Sequence, residues 1–378
     1  MRKDKKAVVA GHICIDITPA FPQKDIRQVS EVLTPGKLIQ MDGVNINTGG
    51  AVANTGLALK HMGVDVSLMG KIGEDAFGGL VLNYLEKYDA KDGMIISADS
   101  DTSYSVVLAI PGIDRIFLHN PGANQTFSFE DLDFSVIGKS SLFHFGYPTL
   151  MKKMYQDQGM ELGRILKKVK EMGVAVSLDM AALDPESEAG QAEWDKILAE
   201  ILPYVDFFVP SVEELCYMLD KERYESWQKK ADGRDITEVV TMADIVPLGQ
   251  KVMNWGAKVV LIKCGAAGIY YRTAEVSQME GLCTELNLSL NSWTGKEGVE
   301  PSFVPEAVIS GTGAGDTCIA AFLASVLKEY DLEKSLQLAT AQGACCVAAY
   351  DALSGLRTLE QLEEKIQTGW KKAAMEGK

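Results

Sequence analysis

Past residue 140 the chain repeats a simple rhythm: a short apolar run, a turn, then a stretch whose apolar positions fall three and four apart. The runs Ser141 to Phe145, Val174 to Leu178, Val205 to Val209 and Lys258 to Ile262 suit parallel strands buried on both faces. Met160 to Met172 and Asp244 to Trp255 carry the helical spacing between them. Strand and helix in alternation predict an α/β fold, a doubly wound, mostly parallel sheet flanked by helices. Nearer the start, Ala7 to Ala10 reads as a first core strand, and Val64 to Gly78 as a strand and turn leading into a helix. Gly49 and Gly50 break an alternating run and open another helix, which Gly63 closes as its C-terminal cap.

Thr102 to Ile110 and Ile113 to His119 alternate with period two around Pro111-Gly112, and predict a hairpin with a tight turn. With the stretch before Thr48 they are candidates for a small β lid, drawn from about 17–48 and 102–120. Two stretches fall outside the rhythm: about 220–241, polar and charged, and about 276–305, with Asn, Ser, Gly and Pro among short alternating pieces. Both are expected to be surface insertions on a single domain spanning 1–378.

Candidate chemistry concentrates in Ile309-Ser310-Gly311-Thr312-Gly313-Ala314-Gly315-Asp316, which runs straight into an apolar helix. Glycines let backbone N–H groups converge on an anion, and a helix N-terminus adds unpaired donors and roughly half a positive charge. Gly313, Ala314 and Gly315 are candidate phosphoryl donors. Asp316, in the first turn, is the candidate base, expected to be held ionised by the helix start. From the residues alone, a first-turn acid is equally a cap and a glycine run equally a loop. No GxxxxGK[ST] segment occurs, which excludes a P-loop, and Gly311-x-Gly313-x-x-Asp316 lacks the third glycine of a dinucleotide turn. Asn54 lies one turn inside its helix among small apolar residues, where its amide needs a partner. A hydroxylated ligand or neighbouring backbone would supply one.

Together these segments resemble the ribokinase-like (PfkB) family of sugar and nucleoside kinases. Gly49 to Gly78 is similar to the family's N-terminal GGxxxN and "G.IG.D.FG" pattern, and Gly313-Ala314-Gly315-Asp316 to the end of its DTxGAGD signature. Gly11 with Asp16 on the first strand, Asn120-Pro121-Gly122-Ala123-Asn124, Pro210-Ser211-Val212-Glu213-Glu214 and Lys263-Cys264-Gly265-Ala266-Ala267-Gly268 follow in the family's order. The resemblance implies a ribokinase-like fold whose lid serves dimer contact. It also implies transfer of the γ-phosphate of ATP to an alcohol, with Asp316 as base. It assigns Asp16, Gly49, Gly50 and Asn54 to substrate hydroxyls, with Asp42 as a further candidate. Lys263, Gly265, Gly268 and Thr312 fall to the nucleotide, with Gly343 in the adenine-pocket wall, and Glu214 to Mg2+.

Two departures stand out. Ser211 replaces the Asn of the family's NxxE motif, and Ser310-Gly311 replace Asp-Thr of DTxGAGD. In relatives that neighbourhood helps place a monovalent cation such as K+, an expectation Ser310 weakens. For the acceptor, a keto-acid sugar would favour an arginine near the lid, where only Arg115 is close, and a nucleoside would favour stacking on Phe21, Tyr104 or Phe117. A small ribose- or fructose-like sugar needs neither and is preferred. The alternatives are a nucleoside kinase and, from another class, a catalytically weak sugar-binding regulator.

Composition narrows the setting. The 378 residues are 47% hydrophobic, enough for a large core, and 37 Lys+Arg against 52 Asp+Glu give a net charge of -15. That charge opposes binding to nucleic acid or anionic membrane. No apolar stretch approaches membrane-spanning length, and the seven cysteines lack CxxC or zinc spacing, so a reducing cytoplasm is expected. Neither HExxH nor GxSxG occurs, which argues against zinc or serine hydrolysis.

Overall fold

A computed structural model describes residues 5–22, 26, 28–111 and 116–373. Its strands, in chain order, are β1 (Lys6–Gly11), β2 (Cys14–Ala20), β3 (Gly43–Gly49), β4 (Asp65–Gly73), β5 (Met94–Ser97), β6 (Tyr104–Leu108) and β7 (Ile116–Asn120). There follow β8 (Leu142–Gly146), β9 (Ala175–Asp179), β10 (Phe207–Phe208), β11 (Val259–Lys263), β12 (Ile269–Thr273) and β13 (Glu297–Glu300). Nine form one sheet in the order β13-β12-β11-β10-β9-β8-β1-β4-β5. It is parallel from β11 to β5, and β12 and β13 join antiparallel. The four apolar runs after residue 140 are β8 to β11.

Continuous apolarity in these strands has a direct cause. On β1, Ala7 and Val9 enter one buried layer while Val8 and Ala10 enter the other, so both faces are covered. Helices Ala51–His61 and Ala314–Leu327 pack on the first face, Met160–Glu171 and Met242–Asn254 on the second. The Ala51–His61 helix starts at Gly50, φ 84, and Gly63, φ 83, follows its C-cap Met62.

The lid is a separate four-stranded sheet, β3-β2-β6-β7. Asp16 lies on β2 of this sheet, not on the first strand. The hairpin pairs Leu108 with Ile116 at its end, so pairing stops before Pro111 and the connection is longer than the tight turn expected. Gly112, Ile113 and Arg115 lie outside the described residues. Two adjacent cross-strand rows differ in character: Ile46, Ile17, Val106 and Leu118 are apolar, whereas Asn47, Asp16, Ser105 and His119 are polar. Alternation along each strand puts the rows on opposite faces.

The two expected insertions are built differently from surface loops. Within 276–305, helix Val276–Leu286 buries Met279, Leu282, Cys283 and Leu286 in the main core, and β13 forms the sheet edge. Trp293 is fully buried, edge-on to Phe207 and Phe322. Within 220–241, helix Lys221–Ala231 stays polar outside and buries Trp227 and Ala231.

Candidate active site

The strand order reverses between β1 and its two neighbours, β4 and β8, and such a switch point leaves a crevice beyond the carboxyl ends of the strands. Gly11 ends β1 at φ +124, and a Cβ there would run into the main-chain oxygen of Gly146, its partner at the end of β8. Over this edge stand the polar lid row and the N-terminus of helix Ala314–Leu327.

Asp316 is the third residue of that helix and 3% exposed. Its carboxylate does not serve as the helix cap; the N-cap is Gly313, at φ 72. The Tyr147 hydroxyl donates to Oδ1 at 2.7 Å, the Thr55 hydroxyl to the same oxygen at 3.3 Å, and Asn54 Nδ2 to Oδ2 at 3.0 Å. Burial pushes the acid above the usual carboxylate range, and the Tyr147 and Asn54 donors draw it partway back. Burial thus works against the ionised form that the helix start favours. Asn54 finds its partner in Asp316 rather than in backbone, and its Oδ1 is buried without one.

Asp16 faces the same space from β2. Burial pushes it up to about 6, with Cys14 and Ser105 as donors that oppose the rise and Asp316 adding to it. A Cβ on Gly49 would collide with the Asp16 carboxylate, and one on Gly50 would lie 2.6 Å from His12 Nδ1. Both glycines permit this approach of the helix to the lid. Asp42 is exposed on the lead into β3, where its N–H donates to Ala20 O at 2.9 Å. No described contact joins it to Asp16 or Asp316. Asn124, from the Asn120 to Asn124 motif, clasps the β1–β2 turn: its Oδ1 accepts from Ile13 N (3.2 Å) and its Nδ2 donates to Ile13 O (2.9 Å).

A second charged group adjoins the first. Lys263, ending β11, donates to Asp179 Oδ1 at 2.6 Å, and an added Cβ at Gly315 would lie 3.5 Å from its Nζ. The ammonium thus stands beside the first turn that bears Asp316. Burial works to lower Lys263, but Asp179 and Glu214 hold it above the ordinary lysine range. Asp179, ending β9, is raised by burial against the pull of Lys263, and its Oδ2 is buried without a partner. Glu214 opens helix Val212–Leu219 in a capping box: its Oε2 accepts from Ser211 N at 2.7 Å and its N–H donates to Ser211 Oγ at 3.2 Å. No group of three or more His, Cys, Asp or Glu among the described residues could hold a metal unaided. Mg2+ does not require one, since it takes one or two carboxylates with phosphate oxygens and water. Asp179 and Glu214 fit that donor set.

The glycine turn is partly self-bonded. Thr312 N–H donates to Ser310 Oγ (3.2 Å) and Ala314 N–H to Gly311 O (3.3 Å). Gly265 is at φ 56, and Gly268, at φ 105, faces the backbone of Glu300, where a Cβ would not fit. Gly343 sits on helix Leu332–Cys346 at its crossing with Ala314–Leu327, where a Cβ would make only ordinary contact with Cys318 at 3.6 Å.

Residues 4–359 match the description pfkB family carbohydrate kinase. The chain belongs to that family. The pfkB-family relatives include the probable fructokinase-6 of Arabidopsis thaliana, 25% identical over 84% of this chain and 74% of the relative. Fructokinase-2 of Oryza sativa subsp. japonica is 23% identical over 94% and 92%. Among solved structures, a ribokinase from Thermotoga maritima aligns with a TM-score of 0.67 at 19% identity, covering 96% of this chain and all of that one. A fructokinase with bound ATP from Xylella fastidiosa aligns at 0.69 and 19% identity, covering 97% and 99%. The fold is ribokinase-like, and the chain is a sugar or nucleoside kinase of that family.

Sequence reasoning missed Tyr147, Thr55, Asp179 and His12 around this pfkB-family site. Asp179 left a usable signal, an acid at the carboxyl end of a predicted buried strand. Tyr147 left none: its reach depends on a left-handed backbone, φ 68, which no Tyr advertises in sequence.

Proposed function

We propose that this kinase transfers the γ-phosphate of ATP to a hydroxyl of a small ribose- or fructose-like sugar. The observation that carries the reading is the Asp316 carboxylate, buried at a helix N-terminus with Asp16 and Asn54 beside it and Lys263 at the adjoining turn. Oδ1 holds two donors and Oδ2 one, so Oδ2 keeps an accepting position for a sugar hydroxyl. As the acceptor oxygen bonds to the γ-phosphorus and the bridge to the β-phosphate breaks, Asp316 takes the hydroxyl proton and later yields it to water. The N–H groups of Gly313 and Gly315, with the Lys263 ammonium, offset charge on the phosphoryl oxygens; that of Ala314 joins once its bond to Gly311 opens. Kinases of this family use ATP with Mg2+. Asp179 and Glu214 would hold the ion, which would supply positive charge to the phosphate oxygens. Gly265, Gly268, Thr312 and Gly343 line the nucleotide side, and Asp42 has the weakest support among the substrate residues.

A nucleoside acceptor loses ground because two of its three stacking candidates are engaged elsewhere, while Phe117 on β7 stays half exposed. Tyr104 packs on Phe77 with ring centres 5.5 Å apart, and Phe21 is buried with Ile26 and Ile110. Potassium should be dispensable, since Ser310 brings a hydroxyl already accepting from Thr312. No described helix is long and apolar enough to cross a membrane, and a cytoplasmic setting remains our proposal.

The test is ADP release with ATP and Mg2+ across pentoses, hexoses, keto-acid sugars and nucleosides, with and without K+. Asp316→Asn should keep ATP and sugar binding and lower turnover by about 10²–10⁴-fold. Near-normal turnover in that variant would remove Asp316 from the role, and silence of the wild type across the panel would favour the sugar-binding regulator.

A further inference from the structure

Two imidazoles stand at the back of the Asp16–Asp316 space. His12, in the turn between β1 and β2, is 2% exposed, and neither of its ring nitrogens has a hydrogen-bond partner. Its ring centre is 5.2 Å from that of His119 on β7 and 6.0 Å from that of Tyr147, whose hydroxyl rests on Asp316. His119 Nδ1 is 3.0 Å from Ser105 Oγ, while its Nε2 is buried without a partner. Asn54 Oδ1 is a fourth such atom. Buried polar atoms are nearly always satisfied in a native protein, so orphans gathered around one space mark where a ligand's own donors and acceptors belong.

The surroundings restrict that ligand. His119 ends the polar row Asn47, Asp16, Ser105, His119, and its face turns toward the site as the apolar row turns away. Neither this row nor His12 supplies a lysine or arginine, while Asp16 and Asp316 are both acids. Burial lowers both imidazoles, with His119 adding to the effect at His12, so each is neutral and offers one donor and one acceptor. The two rings are tilted by 46° to one another and so form no shared flat platform for a planar base. No metal explanation competes, since no described cluster of three ligating groups includes these residues.

We propose that His12 and His119 are specificity-determining residues: neutral imidazoles that hydrogen-bond the hydroxyls of an uncharged polyol at the end away from the one that meets Asp316, and that disfavour carboxylated or phosphorylated sugars. The proposal rests on the sugar-kinase reading for the ligand's orientation. A hydroxyl matches an imidazole in either tautomer, whereas a carboxylate would face two acids and acceptor lone pairs with no lysine or arginine in the described polar row to offset them.

Calorimetric titration of the full chain with D-fructose, D-ribose, D-gluconate and adenosine, paired with turnover assays, tests this. A neutral sugar should bind and gluconate should not. His12→Leu and His119→Leu should each raise the KM of that sugar roughly tenfold and leave the KM of ATP unchanged. His119→Gln, whose amide can reach as Nε2 does, should restore most of the affinity. Melting temperatures of the variants separate lost contacts from lost folding, and His119→Gln keeps the question decidable if His12→Leu fails to fold. A sugar that binds and turns over with its KM unmoved by both leucine variants would overturn the proposal and leave the kinase reading standing. Preference for gluconate or adenosine would overturn it as well, and a wild-type chain inert to all four probes would remove both.

Discussion

Asp16 shows how far one enclosure can move an ordinary group. Burial holds its carboxyl near 6, so it gains its charge between pH 5 and 7 rather than near 4. If the ionised form grips the sugar, kcat/KM should climb through that interval and level above it, and Asp16→Asn should flatten the climb while raising KM. The stability effect has the opposite sign. A carboxyl whose folded pKa is raised contributes nothing adverse below its unfolded value of about 4. Its cost grows between about pH 4 and 6 and levels off above, at roughly 2–3 kcal/mol. Asp16→Asn should therefore stabilise the ligand-free chain at pH 8 and not at pH 4, as read from melting curves; equal shifts at both pH values would refute the argument. Asn54 and Asp316 stood out in sequence as polar residues in an apolar or glycine-rich frame, whereas Asp16 came only through the family resemblance. Tyr147 and His12 were not legible, since their importance lies in where a bent backbone aims them, and composition carries no trace of that.

At the level of elements, periodicity located β8 to β11 and the helices Met160–Glu171 and Met242–Asn254 to within about two residues, because burial on both faces forces apolar runs in the strands. It failed where turn-forming residues crowd an element. Helix Val276–Leu286 presents Met279, Leu282, Cys283 and Leu286 inward and polar residues outward, and the Asn, Ser and Gly that follow disguised it as loop. Trp293 tests the corrected view. Trp293→Ala removes a ring packed against Phe207 and Phe322 and should lower stability by about 3–5 kcal/mol, measured by denaturant unfolding. A loss below 1 kcal/mol would return the segment to the surface. The hairpin was legible for the complementary reason, since its strands alternate, but its turn was not, because pairing ends before Pro111.

For the whole molecule, the lid's outward row leaves Ile46 and Leu118 about half exposed, with Val44 beside them. If this apolar face takes a second copy, as the family resemblance implied, the lid would be buried in a dimer. Light scattering should report a dimer, and Ile46→Asp should yield monomers; a wild-type monomer at micromolar concentration would refute the contact. The bond from Asn54 to Asp316 joins positions 262 apart in sequence. During synthesis the early helix Ala51–His61 must therefore wait, its flank uncovered, until Ala314–Leu327 leaves the ribosome. Products released before that helix have no means of holding the acid in place, so acquisition of activity on the ribosome would time its arrival, and premature release would expose an apolar surface of the kind chaperones recognise.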